Sequence, residues 1–128
     1  MTRINCVPVE ELTREHLVAE YRELPRAFKL IRAAIDRGEA HDDRRNPRAY
    51  TLGTGHVRFF YDKVAWLLDR QEALCAEMAR RGYAVNFPFD ADALMPDGCP
   101  LDRWNDWRPD DVALAANRAR IADRLAGL

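Results

Sequence analysis

The spacing of the apolar residues most constrains what this sequence can fold into. They recur every three to four residues from Leu12 to Ile35, from Val57 to Arg81, and from near Pro109 to Leu125. That spacing is typical of amphipathic helices, and no strand-like alternation of useful length appears. The sequence therefore predicts an all-α fold of three main helices with long irregular connections.

Proline and glycine predict where these helices break and end. Pro25 should kink the first helix or split it in two, because proline supplies no N–H and crowds the preceding turn. Gly38 is expected to end that helix, and Gly82 is expected to cap the second. Pro109 is favoured at a first helical position and precedes two aspartates, which suit the positive end of the third helix.

The length of 128 residues is that of one ordinary domain, so we expect residues 1–128 to share one core. No apolar run approaches the ~20 residues that cross a bilayer. The N-terminal sequence MTRINCVPVEEL lacks the basic start and apolar stretch of a signal peptide. We therefore expect a cytoplasmic monomer with no membrane partner.

The cysteines and histidines predict neither a disulfide framework nor a metal site. The three cysteines are an odd number without a C-x-x-C pair, which is typical of reduced thiols that pack as small apolar residues. The histidines are 25 and 15 residues apart and form no ligand motif, so we expect no metal and no other cofactor. These residues are Cys6, Cys75, Cys99, His16, His41 and His56.

The net charge of −1 does not indicate a nucleic-acid-binding protein, but the charge is unevenly distributed. Residues 83–111 contain seven aspartates against Arg103 and Arg108, a local balance of −5 that leaves +4 on the remainder. A basic face beside an acidic loop is one interpretation. A scattered, solvated surface is the other.

Thr2 is a candidate nucleophile because a residue this small permits removal of Met1, which exposes the α-amine of Thr2. The reference pKa of an α-amine is ~7.7–8.0, below that of lysine, so part of it is unprotonated at neutral pH. Such an amine can attack a sugar C1′ and form an imine, as a lysine does in Schiff-base enzymes. Most proteins with threonine at this position make no such use of it.

Glu23 lies between Arg22 and Arg26 in the first predicted helix. On a helical projection Glu23 and His16 fall about 20° apart, on one flank of the apolar stripe. They could share the edge of a cleft. The alternative is a surface glutamate paired with the arginines of its own helix.

The glycine-containing segment Thr51–His56 has the sequence TLGTGH. Its flexible backbone N–H groups could bind a phosphate at the start of a helix. A simple turn with an N-cap at Thr54 explains the same sequence.

Three separated blocks of sequence, in the same order, closely resemble the phage-type pyrimidine-dimer DNA glycosylase with abasic-site lyase activity, the endonuclease V family. They are MTRIN at 1–5, HLVAEYRELPR at 16–26 and LGTGHVRFFYDK at 52–63. The resemblance continues through residues 70–71 and 79–82, and resumes weakly in the third helix.

The resemblance implies a compact all-α domain that acts on damaged double-stranded DNA. Thr2 corresponds to the nucleophile, and Glu23 to the carboxylate that assists glycosidic cleavage and later proton abstraction from the sugar. The imine at C1′ then permits β-elimination, without a metal. In this family the adenine opposite the lesion is turned out of the stack. The residues expected to bind DNA are Arg3, His16, Arg22, Arg26, Arg120 and Arg124.

The resemblance weakens in residues 84–108 and at the tyrosine-rich tail of the phage members. Trp104 and Trp107 could replace that tail by stacking on bases while the flanking Arg103 and Arg108 meet phosphates, or the tryptophans could anchor their loop against the core. Two alternative functions stay open. One is the same imine chemistry on abasic sites or another damaged base, and the other is a non-catalytic DNA-binding protein on the same scaffold.

Overall fold

The regular secondary structure of the computed structural model is helical. The structure describes residues 3–95 and 97–127. These ranges contain no β-strand, so the all-α prediction is confirmed. Every helix in them is too short or too polar to cross a membrane. In chain order the α-helices are α1 (Arg14–Glu23), α2 (Pro25–Asp36), α3 (Val64–Arg80), α4 (Ala91–Leu94) and α5 (Asp111–Leu125).

Pro25 divides the first predicted helix in two, as expected. It occupies the first turn of α2, where its missing N–H breaks no hydrogen bond within that helix. Thr13 caps α1, because its side chain accepts a hydrogen bond from the backbone N–H of His16. α2 ends two residues before Gly38, whose φ of +79° suits the turn that follows the helix.

The helix predicted from Val57 begins instead at Val64. Arg58–Phe60 forms a short 3-10 turn, and the backbone of Lys63 is not helical, with φ −125° and ψ 46°. Lys63 pairs with Trp104 in an isolated β-bridge. A contact that is distant in sequence therefore overrides the local helical pattern, whereas the predicted cap at Gly82 is confirmed.

α5 also begins later than its sequence indicates. Asp110 is the N-cap, and its side chain accepts a hydrogen bond from the backbone N–H of Ala113 at 2.8 Å. Pro109 therefore precedes the helix instead of occupying its first position. Asp111 follows the cap and lies in the first turn, as predicted.

The core lies where α1 packs against α2 and α3, and the N-terminal segment enters it. Ile4 and Val7 are almost completely buried, and the intervening Asn5 and Cys6 are buried as well. Cys75 joins the core from α3, as expected of a small packing residue. The segment that precedes the first helix is therefore part of the interior of the fold.

Candidate active site and DNA-binding face

A buried ion pair fixes the path of the N-terminal segment. Glu20 on α1 accepts a hydrogen bond from Arg70 on α3, with 2.7 Å between Oε2 and Nε, and the two side chains are 1% and 7% exposed. Asn5 Nδ2 donates to Glu20 Oε1 at 2.9 Å, and Arg70 Nη1 donates to the carbonyl of Val7 at 2.5 Å. Buried charges are tolerated when they are paired and hydrogen-bonded, so this network favours one arrangement of the segment.

Asn117 ties α5 to the same segment. Its Oδ1 accepts hydrogen bonds from the backbone N–H groups of Cys6 and Val7 at 2.8 and 3.1 Å. Its Nδ2 donates to Asn5 Oδ1 at 2.7 Å. Because Asn117 is fully buried, water cannot replace these bonds, and the position of α5 depends on the N-terminal segment.

The segment Thr51–His56 forms hydrogen bonds with Arg3 and Ile4, the two residues that follow Thr2 in sequence. The backbone N–H of Ile4 donates to His56 Nε2 at 2.8 Å, and Arg3 Nη1 donates to the carbonyl of Leu52 at 3.2 Å. Tyr50 adds a third tie, since its hydroxyl donates to the carbonyl of Ile4 at 3.0 Å. Thr2 itself lies outside the described residues.

Of the interpretations of the TLGTGH segment, the simple turn is confirmed, whereas the phosphate-binding helix start and the N-cap at Thr54 are wrong. The helix that follows it begins at Val64, so the segment neither offers an α-helix N-terminus to a phosphate nor supplies an N-cap at Thr54. It forms a turn that directs His56 into the core.

Three of the predicted site residues lie close enough to Arg3 to affect the pKa of its side chain. Arg3 is half-buried, and burial lowers the pKa of its guanidinium. The positive charges of Arg120 and Arg124 lower that pKa further, while the carboxylate of Glu23 raises it. Arg3, at the start of the described chain, therefore lies within electrostatic range of the predicted acid/base and of two arginines of α5.

The remaining candidates extend along the α1–α2 region on either side of Glu23. Arg22 and Arg26 are exposed, and His16 is half-buried, with its Nδ1 2.9 Å from Thr13 Oγ1. The contacts among the described residues do not join these three to Arg3. Within the same ranges, no carboxylate forms an ion pair with any of the five candidate arginines, which are Arg3, Arg22, Arg26, Arg120 and Arg124.

A cavity of about 340 Å³ opens beside the junction of α1 and α2. Arg22 and Pro25 form one side, and the segment around Phe87 forms another. Gln71, 3% exposed, also lines it. Its Nε2 donates to the carbonyl of Tyr21 at 3.2 Å, and its Oε1 has no hydrogen-bond partner in the described part of the chain. The cavity is thus lined mainly by apolar side chains.

The tryptophan-containing loop packs against the core. Trp107 stacks on Tyr50, with ring centroids 5.7 Å apart and an interplanar angle of 18°, and Trp104 Nε1 donates to the carbonyl of Cys99 at 3.2 Å. Arg103 is 1% exposed, and it donates to the carbonyls of Tyr61 and Glu39 at 2.9 and 2.6 Å. The suggested phosphate contact of Arg103 is therefore wrong, because its guanidinium is enclosed. The geometry favours the anchoring interpretation.

Residues 3–95 and 97–127 contain no group of three or more His, Cys, Asp and Glu side chains arranged to hold a metal ion. The seven aspartates of residues 83–111 are all exposed. The acidic stretch is therefore a solvated surface.

Sequence reasoning missed the polar residues that hold the N-terminal segment. Asn5 and Arg70 lie in blocks that carry the family resemblance, but an asparagine or arginine in such a block does not reveal its partner. Asn117 precedes Arg120 by three residues, which places both on one side of α5. That spacing was the only available signal for Asn117.

A family model described as pyrimidine dimer DNA glycosylase matches residues 1–91 of the chain. The match includes the N-terminal segment, the α1–α2 region with Glu23, and all of α3. α5, which carries Asn117, Arg120 and Arg124, lies beyond it. This chain belongs to the pyrimidine dimer DNA glycosylase family and is accordingly a DNA repair glycosylase.

Proposed function

We propose that this protein cleaves the glycosidic bond at UV-induced pyrimidine dimers with the α-amine of Thr2 as nucleophile and then breaks the strand as an abasic-site lyase. One observation carries the proposal: Arg3, which follows Thr2 directly, lies in the electrostatic field of Glu23, Arg120 and Arg124. A carboxylate and two cations near Arg3 support a reaction at the residue that precedes it.

The reaction needs an unprotonated amine and one proton-transferring group. The nitrogen of Thr2 forms a bond to C1′ of the sugar, and the base leaves with the electrons of the C1′–N bond while Glu23 assists the cleavage. Loss of a proton from nitrogen and opening of the sugar give an imine at C1′. The imine acidifies the C2′ proton, Glu23 removes it, and β-elimination breaks the C3′–O bond. Water then hydrolyses the imine and frees the amine.

The unpaired cations supply the contacts to DNA. Phosphate contacts carry most of the affinity of such proteins but little sequence information, which suits an enzyme that must inspect all sequences. Arg22 and Arg26 would bind phosphates on one side of Glu23, and Arg120 and Arg124 on the other. His16 lies along α1 with Glu23 and would approach the same strand.

The cavity beside Arg22 would receive a nucleotide turned out of the duplex. Its apolar walls suit the faces of a base. Turning out the base opposite the lesion would give the amine of Thr2 access to the sugar of the dimer.

The second candidate function is the same imine chemistry on abasic sites. Trp104 and Trp107 pack against the core and so are not free to stack on a lesion. That observation favours a substrate whose recognition needs no aromatic tail. Side-by-side cleavage of duplexes that carry a dimer, an abasic site or an oxidised base distinguishes the two functions.

Replacement of Glu23 by glutamine tests the assignment of the acid/base. We expect Glu23→Gln to lower single-turnover cleavage by about 10²- to 10⁴-fold, the usual contribution of a positioned acid/base. Lesion binding should remain, because the side chain keeps its size. Glu15→Gln, at an exposed position in the first turn of α1, is the matched control and should cleave at the wild-type rate. A loss of only a few-fold in Glu23→Gln would remove Glu23 from the mechanism.

Replacement of Arg26 by alanine tests the DNA-binding face. Arg26→Ala should weaken binding and reduce the salt dependence by about one unit of slope, as expected for one lost phosphate contact. Arg37→Ala is the control, because Arg37 pairs with Glu39 at the other end of α2. An unchanged salt slope in Arg26→Ala would contradict the contact.

A further inference from the structure

Both ring nitrogens of His56 are engaged, and their partners define its protonation. Nε2 accepts a hydrogen bond from the backbone N–H of Ile4 at 2.8 Å. Nδ1 lies 2.6 Å from the carbonyl oxygen of Thr51, which can only accept, so Nδ1 carries the proton. His56 is therefore a neutral imidazole in its Nδ1–H tautomer, and its Nε2 lone pair holds the backbone of Ile4.

The surroundings of His56 favour the neutral ring. It is 3% exposed and lies between the rings of Tyr50 and Phe60, at centroid distances of 5.6 and 6.0 Å. Burial lowers the pKa of His56, the hydrogen bond to the Thr51 carbonyl raises it, and the charges of Arg3 on the N-terminal segment and Arg120 on α5 lower it again. The phenol of Tyr50 is itself neutral, because burial raises its pKa.

The hydrogen bond between Ile4 and His56 matters for the reaction because it lies close to Thr2 in the chain. Ile4 is two residues from Thr2, and two residues of extended chain span at most ~7 Å. Arg3, between them, is held by the same loop through the carbonyl of Leu52. The loop that ends at His56 thus contacts Arg3 and Ile4, the first two described residues after Thr2, whereas Asn117 and Arg70 contact residues 5–7.

We propose that His56 is a positioning residue for the reaction, which sets the location of the N-terminal amine by holding Ile4 through its unprotonated Nε2. The inference rests on the proposed function, since the location of the amine matters only if the amine is the nucleophile. His56 touches neither the substrate nor the reacting atoms. It acts through the backbone of residue 4.

Two substitutions distinguish the role of the Nε2 hydrogen-bond acceptor from that of the imidazole ring as a whole. His56→Leu removes the acceptor, while His56→Gln can present an amide oxygen to the N–H of Ile4. A displacement of an attacking group by about 1 Å can cost about 10²-fold in rate, so we expect a loss of that order in single-turnover cleavage of abasic DNA by His56→Leu. His56→Gln should recover most of the rate, and both variants should bind a duplex with an uncleavable abasic analogue as wild type does. His41→Gln, at a half-exposed histidine, is the matched control and should behave as wild type.

The pH dependence of unfolding provides a readout that a loss of packing alone would not give. Because the folded pKa of His56 lies below the unfolded value of ~6.5, the unfolded chain binds the proton first as the pH falls. The contribution of His56 to stability is therefore complete above pH ~6.5 and declines below it, towards the folded pKa. His56→Gln should lack this step, and His41→Gln should retain it.

The outcomes separate this inference from the proposed function. If wild-type protein forms no borohydride-trapped adduct with abasic DNA, the proposed function fails. If wild type forms the adduct and folded His56→Leu cleaves at the wild-type rate, the positioning role of His56 is wrong. Should His56→Leu not fold, nitrogen NMR of the wild-type imidazole decides: an unprotonated Nε2 supports the role, and a proton on Nε2 overturns it.

Discussion

The buried pair of Glu20 and Arg70 allows a sharp prediction about stability. Glu20 is 1% exposed, and it accepts three hydrogen bonds: from Arg70 Nε at 2.7 Å, from Arg70 Nη2 at 3.1 Å and from Asn5 Nδ2 at 2.9 Å. Glu20→Gln preserves the shape of the side chain. It removes the negative charge and turns one acceptor into a donor that faces another donor.

The expected cost follows from leaving a buried guanidinium without its counter-charge. Removal of one partner of a buried ion pair typically costs about 3–5 kcal/mol, and we expect Glu20→Gln to lose that amount of unfolding free energy. A domain of this kind has a total stability of about 5–15 kcal/mol, so the variant would be marginal at best. Arg70 would also hold the Val7 carbonyl less firmly, so cleavage should fall even in the folded fraction.

The free energy of unfolding is measured by urea denaturation at pH 7, with the helical signal in circular dichroism as the probe. Glu11→Gln is the matched control, because Glu11 makes a two-point contact with Arg118 at the surface, where the side chains are 43% and 50% exposed. An exposed pair contributes at most about 1 kcal/mol. If Glu20→Gln lost no more stability than Glu11→Gln, the account of the buried network would be refuted.

Two further predictions concern the loops around the site. Gly55→Ala should cost about 1–3 kcal/mol of stability, because an alanine is strained at positive φ. The φ of Gly55 is +85°, and an added Cβ would lie 2.6 Å from Pro47 Cγ. Gly53→Ala, which meets no atom within 4 Å, should stay near the wild-type melting temperature. Trp107→Ala should cost about 3 kcal/mol through lost packing, and cleavage of dimers and of abasic sites should fall together. A loss confined to dimers in a stable Trp107→Ala protein would instead assign that tryptophan to lesion recognition.

The helices could be predicted from sequence because their apolar faces repeat locally. The break at Pro25 followed from the chemistry of that residue alone. The start of α3 did not, since Val57 and Phe60 fit the helical stripe, and the interruption lies at Lys63, whose non-helical backbone pairs with the distant Trp104. Boundaries that depend on partners distant in sequence are not visible in a local pattern.

The candidate site likewise has features that could be expected from the sequence and features that depend on partners distant in sequence. The influence of Glu23, Arg120 and Arg124 on the pKa of Arg3 fits the site that the family resemblance implies. The role of Asn117 could not be anticipated, because an asparagine on a helix gives no indication of which backbone it meets. Arg103 was misjudged for a related reason: an arginine in a polar loop suggests exposure, and the two carbonyls that enclose it come from residues far away in sequence.

Trapping of the covalent intermediate tests the central claim most directly. Incubation of wild-type protein with abasic-site DNA and borohydride, followed by peptide mass spectrometry, identifies the nitrogen that bonds to the sugar. The account predicts a reduced adduct on the α-amine of Thr2 in chains that have lost Met1. An adduct on a lysine side chain, or full activity in a preparation that retains Met1, would contradict it.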